Sequence, residues 1–171
     1  MRFLRCAVLA LLVAGCGAEE PERSEPSQPA ARQQSSEPIV EDAQTAADWI
    51  SEALTSSGYE ADFSTDSAKE LDRFFDDQMT APGQPKPGGL LGEDLGARLF
   101  AIAAYVGEVV RRNSDGWSWV PAKGDPDDEI NLSLRRRDEV IWPVQRVMKR
   151  YRNGAEDGIA AYVAAITGDT W

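Results

Sequence analysis

Three consecutive arginines, Arg135, Arg136 and Arg137, are the side chains in this sequence best suited to hold an anion. A guanidinium presents a planar fork of N–H donors that matches a carboxylate or a phosphate. The cluster directly follows an alternating apolar segment, so we expect it at the end of a strand, where it would grip an acidic ligand or partner. The competing interpretation pairs the arginines with Asp138 and Glu139, which follow them in the chain.

Three tryptophans, Trp117, Trp119 and Trp142, fall in the same predicted sheet region as the arginines. Grouped indoles bind sugars or apolar ligands, and they are equally ordinary large core residues. If every strand turns its tryptophan toward the helices, all three belong to the core, and we favour that arrangement. The alternative makes them, together with the three arginines, a candidate binding surface. Trp171, at the end of the sequence, is predicted to lie at the surface.

Glu108 is the carboxylate whose surroundings best suit acid–base chemistry, because it lies on an apolar helical segment where burial would raise its pKa. Arg111 and Arg112 stand three and four residues further on, and helical ion pairs at this spacing are the simpler interpretation. No second carboxylate is positioned by the sequence to work with it. We therefore predict no catalytic residue.

The densest acidic run is Asp125-Pro126-Asp127-Asp128-Glu129. Oxygen ligands at alternate positions suit Ca²⁺, but an EF-hand loop needs glycine at its sixth position and glutamate at its twelfth. Here those positions hold Ile130 and Arg136. A solvated turn between strands is the better interpretation, and we predict neither a metal site nor a cofactor.

Composition excludes several kinds of chemistry. The 171 residues contain no histidine, which rules out Ser-His-Asp and Cys-His catalysis and the usual zinc sites. The net charge of −11 disfavours nucleic acid as a partner. There are two cysteines, Cys6 and Cys16, so a disulfide framework is not expected.

The N-terminal segment has the layout of an export signal. Arg2 and Arg5 precede an apolar run that ends at Val13, and two small residues then lead to Cys16. The run is too short to span a membrane, which takes roughly 20 apolar residues. The four residues Val13-Ala14-Gly15-Cys16 resemble the lipobox of bacterial lipoprotein signal peptides. An ordinary secretory signal that is cleaved nearby is the alternative.

The lipobox resemblance implies that residues 1–15 are removed and that Cys16 becomes a lipidated N-terminus, with acyl chains such as palmitate. Removal takes away Arg2 and Arg5 and no acidic residue, so the net charge would become −13. Gly17 stands where aspartate often signals inner-membrane retention in Gram-negative lipoproteins, and this favours the periplasmic side of the outer membrane. We expect the membrane, through this lipid, and another envelope protein as partners.

Residues 17–40 are predicted to be a disordered tether, because they contain four prolines, five glutamates and no aromatic residue. A coil of this length spans about 27 Å. Residues 41–171 have the composition of one globular domain. The predicted domain organisation is thus a signal peptide at 1–15, a lipidated cysteine and tether at 16–40, and a domain at 41–171.

Hydrophobic periodicity predicts an α+β domain, with a small antiparallel sheet of about three strands packed against several helices. A proline- and glycine-rich loop is expected over 80–92. Pro143 suits the first turn of a helix. The predicted helices cover 41–56, 66–79 and 93–112, with two more from Pro143 to Asn153 and from Ile159 to about 167; the predicted strands cover 117–120, 130–134 and 139–142.

Residues from about 100 to 155 are similar to small bacterial domains of unknown function. The resemblance is carried by Tyr105, Gly107-Glu108 and Gly116-Trp117, and by a helix led by Pro143 that ends in basic residues. It implies one α+β domain and no known activity.

We expect a non-catalytic, lipid-anchored envelope domain that binds or helps to assemble another protein. A module that binds a small ligand or a glycan is the alternative. A carboxylate-based cell-wall hydrolase is the least favoured, since it needs two carboxylates facing one cleft.

Overall fold

The computed structural model describes residues 37–169, and the elements follow one another as two helices, a short hairpin, a third helix, a three-stranded sheet and two more helices. Cys16, most of the predicted tether and Trp171 lie outside the described residues. The helices are α1 (Pro38–Ser56), α2 (Ser67–Gln78), α3 (Leu95–Asn113), α4 (Pro143–Asn153) and α5 (Ile159–Thr167), and the strands are β1 (Met79–Ala81), β2 (Gln84–Pro85), β3 (Ser118–Val120), β4 (Ser133–Arg136) and β5 (Glu139–Ile141).

Helix α3 forms the centre of the core. Every residue from Leu99 to Val110 is buried, so this helix has no solvent-facing stripe over three turns. It packs against α1, α4 and α5, while α2 packs against α5. Small residues such as Ala101, Ala103 and Gly107 let the neighbouring elements approach closely.

The first helix begins earlier than the sequence pattern predicts, because Pro38 occupies its first turn. The apolar residues at helical spacing, Ala43, Ala47, Ile50 and Leu54, are buried against the core as expected. Helices α2 to α5 each lie within a few residues of their predicted bounds.

The segment 80–92, predicted as a loop, contains most of a hairpin. β1 and β2 pair antiparallel across a Pro82-Gly83 turn, in which Gly83 adopts a φ of 73°. Tyr151 of α4 makes two hydrogen bonds to Gly83 in this turn: its carbonyl accepts the Gly83 N–H at 2.7 Å and its hydroxyl donates to the Gly83 carbonyl at 2.9 Å. The segment is therefore held against α4, and the sequence prediction missed this two-stranded sheet.

The three-stranded sheet has the order β3-β4-β5, with both pairs antiparallel. The middle strand begins three residues later than predicted. The Asp128 carboxylate accepts hydrogen bonds from the backbone N–H groups of Ile130 and Asn131, and this turn keeps Ile130 out of the ladder, with 51% of its surface exposed. The predicted α+β class, with a small antiparallel sheet packed on helices, is confirmed. No helix within residues 37–169 is long and apolar enough to cross a membrane.

Candidate functional site

The register of the three-stranded sheet divides its side chains between two faces. Trp119, Leu134 and Ile141 are aligned across the strands and turn toward the helices. We call the opposite side the outer face. It carries, on alternate positions of the three strands, Ser118, Val120, Ser133, Arg135 and Val140, and it continues to Trp142 just after β5.

Trp119 belongs to the core rather than to a ligand site. Its indole N–H donates to Oε1 of Glu108 at 2.9 Å. Its ring lies so close to Gly107 that a Cβ added at this glycine would stand 2.2 Å from Cη2 of the indole. Helix α3 therefore needs glycine at position 107 to admit the tryptophan of β3.

Glu108 is fully buried and accepts four hydrogen bonds. Besides Trp119, Arg111 donates from Nε at 2.8 Å and from a terminal nitrogen at 2.7 Å, and Arg112 donates from Nε at 3.1 Å. Burial alone would raise the pKa of Glu108, but the hydrogen bonds from Arg111 and Trp119 outweigh it and hold the pKa below its ordinary value. The lowered pKa favours the ionised carboxylate, and because Glu108 has no exposed surface it acts as a structural anion.

Trp117 is also buried, and its environment includes the middle arginine of the cluster. The Arg136 guanidinium lies 4.5 Å above the centre of the Trp117 ring, donates to Glu139 at 2.7 Å and donates to the Ser114 hydroxyl at 2.9 Å. The indole N–H of Trp117 has no hydrogen-bond partner among residues 37–169. Arg136 therefore serves the fold, which agrees with the predicted pairing to a neighbouring acid.

Arg137 lies in the turn between β4 and β5, with a φ of 53°, and is exposed. Nothing in the described part of the chain pairs with it. Three adjacent arginines thus have three separate positions, and only Arg135 points from the sheet onto the outer face.

Trp142 and Arg135 are the two candidate binding residues that the structure brings together. Both line an open recess of about 360 Å³ on the outer face. The favoured expectation that all three tryptophans belong to the core is confirmed for Trp117 and Trp119, which are buried. It is wrong for Trp142, which exposes 44% of its surface. The floor includes the half-buried Val120 and Val140, and the β3–β4 loop forms the rim, with Lys123, Asp128 and Asn131.

A second, smaller recess of about 170 Å³ adjoins the first and shares Val140 and Trp142 with it. Lys149 and Arg146 of α4 line it, and the Arg146 guanidinium lies 4.6 Å above the ring of Tyr162. Burial raises the pKa of Tyr162 to about 12, so its hydroxyl stays neutral. Trp142 therefore stands between two depressions that both contain basic side chains.

The acidic run before β4 folds as a turn, as the sequence predicts. Asp125 accepts the backbone N–H of Asp127 at 3.1 Å, and Asp128 accepts the side-chain N–H of Asn131 at 2.7 Å. These bonds occupy the oxygens in the manner of local turns. Within residues 37–169 no group of three or more acidic side chains is arranged to hold a metal ion.

Two further features escape sequence reasoning. Arg150 is buried and donates from Nε to Asp72 at 2.8 Å, while the same Asp72 accepts the backbone N–H groups of Ile159 and Ala160 at the start of α5. This joins α2, α4 and α5. Because Asp72 and Arg150 are 78 residues apart, no local spacing signals their contact.

The second feature is Trp49 on α1, which exposes 52% of its surface. It borders an apolar recess of about 220 Å³ together with Leu90 and Phe74, and Arg98 lies at the same recess. Arg98 is held in place by donation to the Leu90 carbonyl. Helical periodicity indicates only that Trp49 falls beside the buried positions of α1, and the recess itself arises from the approach of distant segments.

Comparison of the chain with protein-family models, with curated proteins and with solved structures gives no match. The outer face around Trp142 and Arg135 is the candidate functional site.

Proposed function

We propose that this chain is a lipid-anchored protein of the bacterial envelope whose domain binds another envelope protein, without catalysis, through the outer face. The observation that supports it most is the exposed indole of Trp142, which lies on an open sheet face beside the exposed Arg135. Tryptophan and arginine are the side chains most enriched among residues that dominate protein–protein binding. A floor of half-buried valines completes the arrangement of an apolar centre with a polar rim.

The anchor rests on the resemblance of Val13-Ala14-Gly15-Cys16 to a lipobox and on the positive start formed by Arg2 and Arg5. Two or three acyl chains on Cys16 would make release from the membrane slow, since each buried CH₂ contributes about 0.8 kcal/mol. In a Gram-negative envelope, glycine at position 17 favours the outer membrane, facing the periplasm. A proline- and glutamate-rich segment would then separate the lipid from the domain.

Binding is favoured over hydrolysis because Glu108, the carboxylate best suited to catalysis, is buried and fully hydrogen-bonded within the fold. A carboxylate-based glycosidase needs two carboxyl groups facing a cleft, roughly 5–10 Å apart. Glu108 has no solvent access and all its bonding capacity is directed at Arg111, Arg112 and Trp119. With no histidine in the chain, the common nucleophilic mechanisms lack their base.

A small-ligand or glycan-binding module is the second candidate. The recess of about 360 Å³ lies within the range of small-molecule sites, and Asn131 and Ser133 offer polar groups beside the indole. A sugar ring stacked on Trp142 would use the same surface. The two candidates differ in whether the occupant is a protein.

Site-specific photo-crosslinking in living cells tests the proposed function. A photoreactive amino acid at Ser118, which is exposed on the outer face opposite Arg135, should give a discrete protein adduct. The same group at Thr45, an exposed position on α1, is the matched control and should give none. Absence of any protein adduct from Ser118 across several growth conditions, at normal protein levels, would contradict the proposal.

A further inference from the structure

The spacing of Arg135 and Trp142 matches the repeat of an extended peptide. Arg135 pairs with Val140, and Trp142 lies two residues beyond Val140 on the same face. Diagonal neighbours of this kind in an antiparallel sheet stand about 7–8 Å apart. Successive side chains on one side of an extended chain are two residues apart, or about 6.6–6.8 Å. Two such side chains can therefore meet Arg135 and Trp142 at once.

The charges around this surface favour an anion. Arg135, Lys123 and Lys149 are exposed, and none has an ion-pair partner among residues 37–169. In a chain of net charge −11, three unpaired cations thus line one recess and its neighbour, while the acidic run at 125–129 lies in the loop at the rim. Of that run only Asp128 lines the recess, and its carboxylate already accepts hydrogen bonds from Ile130 and Asn131. A carboxylate on the ligand would find its complement at Arg135.

The apolar part of the surface favours a peptide over a sugar. Between Arg135 and Trp142 the floor is Val140, with Val120 beside it, and neither side chain can hydrogen-bond to a hydroxyl. A large apolar side chain placed on Trp142 would instead cover the exposed indole. The chain's own segment 17–36 does not fit this surface as a ligand. It supplies glutamates for Arg135, but it has no apolar side chain larger than proline to cover Trp142.

We propose that the outer face binds an extended acidic segment of the partner, in which Asp or Glu stands two positions from a large apolar residue. The carboxylate pairs with Arg135 and the apolar side chain packs on Trp142, while Lys123 and Lys149 attract further acidic residues. This inference rests on the proposed function and specifies the chemistry of the partner.

Selection from a library of random 12-residue peptides tests the pattern directly. The full-length protein, purified in detergent and immobilised, is the target, and recovered peptides are sequenced. We expect enrichment of an acidic residue two positions away from an aromatic or large aliphatic one. A synthetic peptide of the enriched sequence should bind at least tenfold more tightly than the same peptide with the two residues made adjacent. Its affinity should fall as salt is raised.

Two variants assign the contacts. Arg135→Glu should weaken the selected peptide at least tenfold, and Trp142→Ala should do the same, with the urea midpoint of unfolding of each variant unchanged. Trp49→Ala removes an equally exposed indole on a different surface and should leave binding unchanged. Failure to enrich any peptide, enrichment of a pattern without the acidic residue, or binding indifferent to Arg135→Glu would each overturn the inference.

The experiment separates this inference from the proposed function. If the adduct formed from Ser118 maps to a partner segment that lacks the acidic and apolar pair, the proposed protein-binding function is supported and the proposed peptide pattern is contradicted. If no adduct forms, both the proposed function and the peptide pattern are contradicted. If soluble alginate, a polyuronate, binds in a Trp142-dependent way while no peptide is enriched, the surface takes an acidic glycan and the peptide proposal is overturned.

Discussion

The indole N–H of Trp119 donates to the buried carboxylate of Glu108 at 2.9 Å, and this contact joins the edge strand β3 to the central helix α3. Gly107 leaves room for the ring, and Arg111 and Arg112 complete the shell around the carboxylate. Arg112 extends the network to Asp48 of α1 at 3.3 Å. The position of the sheet on the helices, and hence the presentation of its outer face, depends on this cluster.

Substitution of Gly107 by alanine should destabilise the domain, because the new Cβ would stand 2.2 Å from the Trp119 ring. Overpacking of this kind costs about 1–3 kcal/mol or more. The free energy of unfolding in urea measures it. Gly96→Ala is the matched control on the same helix: nothing lies within 4 Å of its Cβ position, so we expect no loss of stability. Equal stability of the two variants would show that Trp119 does not pack on Gly107.

Glu108→Gln should lower the free energy of unfolding by about 2–3 kcal/mol at neutral pH, since charge-assisted hydrogen bonds are lost in the core. The folded-state pKa of Glu108 lies below its ordinary value of 4.5. Its contribution is therefore fully present above pH 4.5 and is lost as the pH falls through the lowered pKa. The difference in stability between the wild type and Glu108→Gln should shrink on acidification below that point.

Trp119→Phe serves as the control for the pH experiment, because it removes the N–H donor but keeps the ionised carboxylate. This variant should be less stable than the wild type at neutral pH and should keep most of the wild-type slope on the acid side. A Glu108→Gln variant whose acid-side slope equals that of the wild type would mean that Glu108 does not titrate as described.

Substitutions of the neighbouring Arg135 and Arg136 should have opposite effects on stability and on binding. Arg136→Ala removes the guanidinium from the Trp117 ring and from Glu139, and should lower stability by about 1–2 kcal/mol while the partner still binds. Arg135→Ala should leave the urea midpoint unchanged and reduce crosslinking from Ser118. If both variants lose stability and binding together, the assignment of Arg135 to the surface and Arg136 to the fold is wrong.

Cys16→Ser should leave an unprocessed precursor that takes up no lipid. Labelling of cells with a palmitate analogue, followed by electrophoresis, compares the variant with the wild type, and Cys6→Ser is the matched control that should label normally. Normal lipid labelling of Cys16→Ser would refute the lipoprotein assignment.

Periodicity was sufficient to predict the helices, since each has an apolar stripe that its neighbours bury. Periodicity could not assign each tryptophan to the core or to the surface. Trp119 and Trp142 both follow a strand-like alternation, and only the pairing of Trp119 with Leu134 and the position of Trp142 just beyond β5 separate core from surface. Their faces depend on register, which the sequence of one strand does not fix.

The same reasoning applies to Ile130 and the arginine cluster. Ile130 fits an alternating strand, but the Asp128 carboxylate bonds the local backbone and ends the ladder before it. Arg135 and Arg136 differ in role because adjacent strand residues point to opposite faces. The buried Arg150–Asp72 pair joins residues from distant parts of the chain, and nothing local in the sequence indicates such a pair.

In-cell photo-crosslinking from Ser118 in two variant backgrounds tests most directly whether the exposed indole of Trp142 takes part in binding the partner. Trp142→Ala should abolish the adduct, or reduce its yield at least tenfold, at unchanged protein level and lipid labelling. Trp49→Ala, which removes the other strongly exposed tryptophan of the described domain, should leave the yield unchanged. An adduct that persists in Trp142→Ala, or that is lost equally in both variants, would contradict binding through the outer face.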